Sequence, residues 1–380
     1  MRNTGRAGVS GVKRFACVLG AGALSAAVLG GVPIGASAGA SPGGSCPAGE
    51  VAQKSSSVRT YADGGHAYSF RTPGGTVTQP VPPASFRPLT ASARTLARYG
   101  FPARPAAGHR LARWTRLMTA WKGTSAPSTC WNLSAPTAAT IAGSPRPSKL
   151  TGSGTSTTWG GYDASPNSPV KYTGVTGLFH QPSRLSTSCS NAHESVWVGL
   201  GGETDTDGSY GLIQDGTAFG PSGPAVAWYE WIGRTSGGVK TGVSQQNFTM
   251  GVSPGDLIYA ATTYEPSTGV GTFYMENQTT GHNVTAKVNV KKWYDGTQAD
   301  WITERPSDSN DNAYWLQNFD SVSWTGAEAL NTNNNWNYLA DTFFQDKLTM
   351  QRTNGTNLAT TGAIGGASGG AFTTTWKNCS

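Results

Sequence analysis

Residues 211–232, GLIQDGTAFGPSGPAVAWYEWI, consist of two short apolar runs joined by a turn rich in glycine and proline. Aromatic and β-branched runs around such a turn predict two neighbouring antiparallel strands. Each run carries one polar side chain among residues suited to a core, Gln214 in the first and Glu230 in the second. Desolvating either group costs about 1–3 kcal/mol unless it is hydrogen-bonded, so the pair indicates a functional site unless both side chains face solvent.

Similar short runs, separated by turn residues, continue through the C-terminal 220 or so residues of the chain, at 195–200, 256–263, 272–276, 283–290, 300–303 and 320–324. The composition agrees, because 51 Gly, 22 Pro, 13 Trp, 13 Tyr and 12 Phe favour short strands and tight turns over long helices. We therefore predict an all-β domain over residues 151–380, built as a two-sheet sandwich.

The first 38 residues have the pattern of a secretory signal peptide. Basic residues precede an apolar run over residues 15–34, and the small residues Ala36, Ser37 and Ala38 follow it. Glycines and Pro33 interrupt the run, which argues against the alternative of a membrane anchor. We expect a secreted, extracellular protein that has no membrane contact after signal removal.

Charge divides the rest of the chain into two parts. Residues 39–150 carry 13 Lys and Arg against Glu50 and Asp63, a net of +11, whereas residues 151–380 carry 11 against 19 acidic residues, a net of −8. Opposite charges on neighbouring parts favour electrostatic docking, so we interpret residues 39–150 as a pro-segment that inhibits the acidic domain. A tether to an anionic surface is an alternative, and secretion argues against nucleic acid as a partner.

The basic segment also has helical patterns. Thr90 is placed to cap a short helix that Gly100 ends, and a second helix is predicted over residues 108–122. The second helix carries an apolar stripe of Leu111, Trp114, Leu117, Met118 and Trp121 beside an arginine stripe of Arg110, Arg113 and Arg116. We expect the apolar stripe to cover a cleft whose acidic rim meets the arginines, the alternative being a small cap with solvated arginines. Pro, Ser, Thr and Gly dominate residues 134–158, which places the domain boundary near residue 150.

Outside the signal region the chain has four cysteines, Cys46, Cys130, Cys189 and Cys379, an even number typical of exported proteins. Three pairings are possible, and Cys46 with Cys130 and Cys189 with Cys379 is the pairing that lets the pro-segment leave. Neither the cysteines nor the histidines have the spacing of a zinc site, so we expect no cofactor.

Two serines match the nucleophile-elbow pattern without supporting serine chemistry. Pro254 follows Ser253 and has no N–H for an oxyanion hole, and no histidine follows Ser368.

Residues 299–304, ADWITE, supply the remaining candidate. Strand alternation places Asp300, Ile302 and Glu304 on one face and Trp301 on the other. Desolvation beside an apolar neighbour raises the pKa of a carboxyl group, which suits Glu304 to exchange a proton with water or an amide nitrogen.

Six motifs follow one another along the acidic domain: WVGLGG at 197–202, GLIQ at 211–214, AWYEW at 227–231, GD at 255–256, ENQTTG at 276–281 and ADWITE at 299–304. In this order and spacing the chain resembles the eqolisins, a family of glutamic peptidases, and WGG at 159–161 is similar to the family's first strand. The resemblance covers roughly residues 157–330 and loosens toward the C-terminus.

The resemblance implies a sandwich of two antiparallel sheets of about seven strands, with the substrate cleft on one concave face. It also implies a secreted, pepstatin-insensitive acid endopeptidase that is made as a precursor and acts on proteins or peptides. By motif position, Gln214 and Glu304 are the implied catalytic dyad, and Trp197, Trp228 and Glu230 line the implied active site. We expect a monomer.

Two positions depart from the family pattern, because Gly201 and Val226 stand where the fungal enzymes have acidic residues. The missing carboxylates bear on the pH optimum and not on the dyad.

Two other functions fit the residues. A glycoside hydrolase on a sandwich fold uses two carboxylates, for which Glu230 and Glu304 qualify. A non-catalytic carbohydrate-binding or adhesive module uses aromatic side chains as platforms.

Overall fold

Strands dominate the computed structural model, which describes residues 46–47, 49–133, 152–186, 189–202, 208–307 and 312–379. All of these belong to one compact unit, Ala38–Ser380. The predicted signal peptide and residues 134–151 of the predicted linker lie outside the described residues.

The N-terminal part, residues 46–133, has six short strands and two helices: β1 Val51–Ala52, β2 Ser57–Thr60, β3 His66–Thr72, β4 Gly75–Val81, α1 Ala93–Tyr99, α2 Gly108–Ala120, β5 Gly123–Thr124 and β6 Cys130–Trp131.

The C-terminal part, from residue 152 onward, is built from strands and one 3₁₀ turn at Leu339–Asp341. The strands are β7 Gly152–Ser156, β8 Trp159–Ser165, β9 Tyr172–His180, β10 Ala192–Gly201, β11 Tyr210–Phe219, β12 Ala225–Arg234, β13 Lys240–Val252, β14 Leu257–Glu265, β15 Val270–Asn277, β16 His282–Asn289, β17 Ala299–Glu304, β18 Trp315–Leu316, β19 Ser321–Asn331, β20 Trp336–Tyr338, β21 Phe344–Gln351, β22 Asn357–Thr361 and β23 Phe372–Trp376. Each run predicted from the sequence overlaps one of these strands.

The strands form two layers, which confirms the predicted sandwich. The front sheet has the antiparallel order β21, β8, β17, β10, β11, β12, β13. The back sheet has the antiparallel order β22, β23, β19, β9, β14, β15, β16. Strands β4, β3 and β2 of the N-terminal part continue the back sheet beyond β16.

The main core lies between the two sheets. Alternate residues of the front sheet point into it, including Tyr229 and Trp231 of β12 and Trp301 of β17. Ile302 points the other way and belongs to a separate apolar cluster on the outer face of the front sheet. The alternation predicted for residues 300–304 is therefore confirmed.

The two predicted helices exist, with one correction. Helix α1 is capped by Ser92, whose Oγ accepts a hydrogen bond from the Thr95 amide at 3.1 Å, and not by Thr90. Ser92 is the last residue with extended backbone before the helix, so its hydroxyl and not that of Thr90 reaches the free amides. Gly100 ends α1 in the left-handed conformation, as predicted.

Helix α2 packs on the outer face of the back sheet. Its buried residues Trp114, Leu117 and Met118 share an apolar cluster with Tyr259 of β14 and Tyr274 of β15. From the predicted arginine stripe, Arg110 Nε and Arg113 Nη2 lie 3.1 and 2.6 Å from a carboxylate oxygen of Glu328 on β19. Arg116 is exposed.

Both disulfides join the predicted partners, Cys46 with Cys130 and Cys189 with Cys379. Each one is internal to one part of the molecule. Among the described residues, no helix is long and apolar enough to cross a membrane.

Candidate active site

Glu304, the last residue of β17, lies on the outer face of the front sheet and is only 6% exposed. Its Oε2 accepts a hydrogen bond from Trp197 Nε1 at 2.7 Å, and its Oε1 accepts one from Trp159 Nε1 at 3.3 Å. Burial raises the pKa of Glu304 to about 7, and the hydrogen bonds from Trp197 and Trp159 oppose this rise. The carboxyl group is therefore held by neutral donors in a place where it can exchange a proton near neutral pH.

Gln214 and Glu230 form a cross-strand pair on the same face. Gln214 of β11 lies directly opposite Glu230 of β12, and Gln214 Nε2 donates to Glu230 Oε2 at 2.7 Å. Both side chains are at most 1% exposed. An amide nitrogen carries two N–H groups, and the bond to Glu230 engages one of them and sets the direction of the other.

Trp197 of β10 connects the two halves of this face. Strand β10 pairs Ser195 with Glu304 on one side and Gly199 with Gln214 on the other. The register therefore separates Glu304 and Gln214 by four residues along β10, which is about 13 Å at the rise of a β-strand.

The indole ring of Trp197 covers much of this interval. Its Nε1 bonds Glu304, and its opposite edge lies over Gly199, where an added Cβ would be 2.9 Å from Trp197 Cζ3 and 3.3 Å from Gln214 Cβ. The absence of a side chain at residue 199 thus leaves room for the ring beside Gln214.

An apolar floor surrounds these polar groups. It consists of Trp159, Trp197, Leu212, Trp228, Ile232, Ile302 and Leu348. Trp228 lies two residues before Glu230 on β12 and is 3% exposed, so its ring and the Glu230 carboxylate share one face as predicted. The low polarity of this floor is what makes the ionised form of Glu304 costly.

All five predicted site residues thus lie on one face of the front sheet. Asp300 shares the face and lies opposite Asp163 of β8. Gly201 has a φ of +98°, and a Cβ there would collide with the Gly211 carbonyl oxygen, so this backbone has no place for an acidic side chain at residue 201.

Trp159 is the residue that the sequence analysis misses as part of the site. It begins β8, next to β17, and faces Trp197 edge-on with ring centroids 5.1 Å apart. The sequence does contain a signal for this role, the WGG segment at 159–161. Alternation along β8 places Trp159 on the face opposite the core residue Tyr162, which is the face of the site.

The arrangement brings together a proton-exchanging carboxyl group, an oriented amide donor and aromatic walls. Among the described residues, no group of three or more His, Cys, Asp or Glu side chains is placed to hold a metal ion.

Comparison with known proteins supports one family. The model of the Peptidase A4 family, which comprises the eqolisins, matches residues 157–371. The crystal structure of scytalido-glutamic peptidase with a transition state analog inhibitor is 22% identical over 58% of this chain and 98% of that one, with a TM-score of 0.45. SCP-B, a member of the eqolisin family solved with the tripeptide Ala-Ile-His, is 21% identical over the same shares, with a TM-score of 0.44.

No curated protein sequence matches the chain. Because these solved structures are at most 22% identical to the chain, with TM-scores of 0.45 or less, the family is assigned from the family model alone. That model spans more than half of the chain and includes all five predicted residues of the active site. The chain therefore belongs to the Peptidase A4 family, the glutamic peptidases called eqolisins, and is a hydrolase of peptide bonds.

Proposed function

We propose that the protein is a secreted, pepstatin-insensitive endopeptidase that cleaves proteins or peptides with Glu304 and Gln214 as its catalytic dyad. The observation that carries the proposal is the arrangement of side chains on the outer face of the front sheet. On it, a buried carboxyl group is held by Trp197 and Trp159, and an amide is aimed by Glu230.

In the proposed reaction, the ionised Glu304 carboxylate takes a proton from a water molecule as that water attacks the scissile carbonyl carbon. The second N–H of the Gln214 amide donates to the oxyanion that develops on the carbonyl oxygen. Glu304 then gives the proton to the leaving nitrogen as the C–N bond breaks. The substrate carbonyl and the water occupy the interval between the two side chains, beside Trp197 and Trp228.

The pKa of Glu304 bears directly on the working pH. A base must be ionised to accept a proton, and burial raises the pKa of Glu304 to about 7. The rising limb of kcat/KM in the free enzyme is therefore expected nearer pH 7 than the ordinary glutamate value of 4.5. The family resemblance implies a more acid optimum, so the pH profile is the most informative single measurement.

Secretion, cleavage in the linker and inhibition by the basic segment stay predictions from the sequence. The described contacts of that segment lie on the back sheet, in the core between the sheets and on β13, whereas Glu304 and Gln214 lie on the outer face of the front sheet. The described hydrogen bonds of Glu304 are to indole N–H groups and that of Glu230 is to Gln214, and none of these bonds favours a glycoside hydrolase or an adhesive module.

The test is cleavage of a denatured protein substrate between about pH 2 and 8 in the presence of pepstatin. Glu304→Gln is expected to lower kcat by about 10²- to 10⁴-fold because the general base is lost. Gln214→Ala is expected to lower kcat by about 10²- to 10³-fold because an oxyanion donor is lost.

Glu265→Gln makes the same chemical change at the exposed end of β14 and serves as the control, with activity expected to stay at the wild-type level. Near-UV circular dichroism shows whether each variant is folded. Full activity in a folded Glu304→Gln variant contradicts the proposed dyad.

A further inference from the structure

The N-terminal part, residues 46–133, supplies side chains to the main core of the sandwich. Phe70 of β3, Val77 of β4 and Trp131 of β6 are at most 1% exposed and belong to the same cluster as the inward-facing residues of both sheets. Strand β4 also pairs with β16, placing Val77 opposite Val288. A pro-segment that only docks on a finished surface has no need of such residues in the core.

The hairpin of β3 and β4 reaches across the open side of the sandwich. β4 is hydrogen-bonded to the back sheet, whereas the turn at Gly74 lies against Val243 of β13 and Trp231 of β12 in the front sheet. An added Cβ at Gly74 would be 2.8 Å from Trp231 Nε1. The hairpin therefore closes the gap between the two sheet edges.

A set of hydrogen bonds fastens the end of the N-terminal part to β13. Asn132 N donates to Gln246 Oε1 at 3.1 Å, and Gln246 Nε2 donates back to Asn132 O at 2.8 Å. Ser128 Oγ donates to Asn247 O at 2.9 Å, and Ser128 N donates to Gln79 Oε1 at 2.7 Å. The segment around Trp131 is thus hydrogen-bonded to β13 on both sides, through Ser128 before Trp131 and Asn132 after it. The bond from Ser128 N to Gln79 is internal to the N-terminal part.

These contacts lie one strand away from the candidate site. In the pairing of β12 with β13, Gln246 is opposite Tyr229 and Asn247 is opposite Trp228. Tyr229 lies between Trp228 and Glu230, and Glu230 is the acceptor that orients Gln214. The N-terminal part therefore supports β12, the strand whose Glu230 orients Gln214. It contacts the inner side of β12 at Trp231 and the neighbouring edge strand β13.

The arginines of α2 add a second attachment, to β19 on the outer face of the back sheet. Glu328 is 1% exposed, and its carboxylate pairs with both Arg110 and Arg113. Separating the parts would leave this carboxylate and the apolar surface around Tyr259 and Tyr274 exposed to solvent.

Neither disulfide joins the N-terminal part to the sandwich. One disulfide, Cys46 with Cys130, closes within the N-terminal part, and the other, Cys189 with Cys379, closes within the sandwich. After a cut between residues 133 and 152, the two parts are held together only by non-covalent contacts.

We propose that residues 46–133 are a permanent subunit of the working peptidase, which a cut in the linker converts into a two-chain enzyme. In this state the N-terminal part completes the core and holds β12 and β13 in place, and its loss inactivates the enzyme. The statement about activity rests on the proposed function, whereas the statement about association does not. A released inhibitor predicts the opposite, a gain of activity when the segment leaves.

The association is tested on the full chain, with a recognition sequence for a specific endoprotease placed at residues 139–145 and Glu304→Gln added to prevent self-digestion. After the cut, both chains are expected to co-elute in size-exclusion chromatography and to separate on a denaturing gel. Elution of the N-terminal chain apart from a folded sandwich overturns the proposal, whether or not any form of the protein is active.

Substitutions in the N-terminal part give a further test of the association, through the rate at which the cut chain is released. Trp131→Ala is expected to speed release of the cut N-terminal chain in moderate urea by at least about tenfold, because a buried indole is lost from the core. Arg94→Ala, an exposed position on the same part, is expected to release at the unchanged rate. If Trp131→Ala does not fold before cutting, Ser128→Ala removes the Oγ bond to Asn247 O, together with a longer one to Cys130 O within the N-terminal part, and is expected to speed release by a smaller factor. Equal release rates for these variants and the control contradict the proposal.

Activity is measured on the cut chain with Glu304 intact. The co-eluting complex is expected to keep the activity of the uncut protein, to lose it when the N-terminal chain is stripped in urea, and to regain it when that chain is added back. A rise in activity on stripping shows an inhibitor instead. If every form is inactive, the proposed function fails, and co-elution still decides the association.

Discussion

Two buried carboxyl groups on the outer faces of the sandwich have contrasting partners. On the front sheet, Glu304 is held by the N–H groups of Trp197 and Trp159, which are neutral donors. On the back sheet, Glu328 is held by the guanidinium groups of Arg110 and Arg113.

The contrast lies in the charge of the groups that hold each carboxyl group. Two arginine side chains around Glu328 attach one part of the chain to another. Neutral donors around Glu304 leave the charged form costly, so its pKa rises to about 7 and its proton can move. Burial alone is common to both, and the partner determines the role.

The largest expected effect lies on the back face. Glu328→Gln leaves Arg110 and Arg113 without their anionic partner, and breaking a buried ion pair from one side typically costs about 3–5 kcal/mol in unfolding free energy. Both arginines keep some exposure, 28% and 20% for their side chains, so we expect the lower end of that range. Urea unfolding at pH 7 measures the change.

The uncut Glu328→Gln protein is expected to retain wild-type kcat per folded molecule, since Glu328 is remote from the front face. Glu265→Gln is the matched control for stability. A loss of activity without a loss of stability would contradict the purely structural role expected for Glu328.

The next effect is the pH dependence of stability contributed by Glu304. Because burial raises its pKa in the folded protein from 4.5 to about 7, its protonated form is favoured by folding. That contribution is fully present below pH 4.5 and is lost as pH rises through about 7. Glu304→Gln keeps a neutral side chain at every pH, so it is expected to match the wild type at pH 4 and to exceed it by about 3 kcal/mol above pH 8.

Chemical denaturation of both proteins at the two pH values measures this difference. Glu194 and Glu276, whose pKa values burial raises to about 8, contribute to both proteins and cancel in the comparison. An equal stability difference at pH 4 and pH 8 would mean that Glu304 does not titrate as described.

A smaller effect is expected from Trp197→Phe, which keeps an aromatic ring and removes the N–H that bonds Glu304 at 2.7 Å. Loss of this donor is expected to lower kcat/KM by about tenfold, or about 1.4 kcal/mol, and to move the rising limb of the pH profile upward. The upward direction follows because the Trp197 hydrogen bond lowers the pKa of Glu304. Trp315→Phe, at a position 45% exposed, is the control.

The smallest effect is expected from Trp159→Phe. Its bond to Glu304 is longer, 3.3 Å, and lowers the pKa of Glu304 less than the bond from Trp197 does. We expect a loss of about threefold in kcat/KM and a smaller upward movement of the pH limb. A larger loss than for Trp197→Phe would reverse the order of the two donors.

Much of the fold was predictable because its signals are local. Alternation along β17 separates Trp301 from Ile302, and both side chains lie on their predicted faces. The same period separates Tyr229 and Trp231 of β12 from Trp228. The helix that ends at Gly100 was predictable for the same reason, since a left-handed C-cap is a property of a few consecutive residues. The cap at Ser92 was missed because Thr90 and Ser92, two residues apart, both carry a hydroxyl group and only the backbone angles decide between them.

The candidate site was predictable in its members and not in its contacts. Motif order identified Gln214, Glu230 and Glu304, but the register of β17 with β8 and β10 decides that two tryptophans donate to one carboxyl group. Trp159 was missed because it is 145 residues away from Glu304 in the chain.

The basic segment shows the same division. Its charge and helical stripe predicted docking on acidic groups, and Arg110 and Arg113 do meet Glu328. Charge has no directional information, so it did not distinguish the outer face of the back sheet from the front face that carries Glu304.

The side-chain direction within each strand, the helix end at Gly100 and the family motifs follow from the amino-acid order, because they depend on the period of the backbone and on ordered motifs. Which carboxyl group meets indoles and which meets arginines, and on which sheet residues 46–133 lie, became clear only from the folded arrangement. Those outcomes depend on register and packing between residues more than a hundred positions apart, and no local pattern in the chain records them.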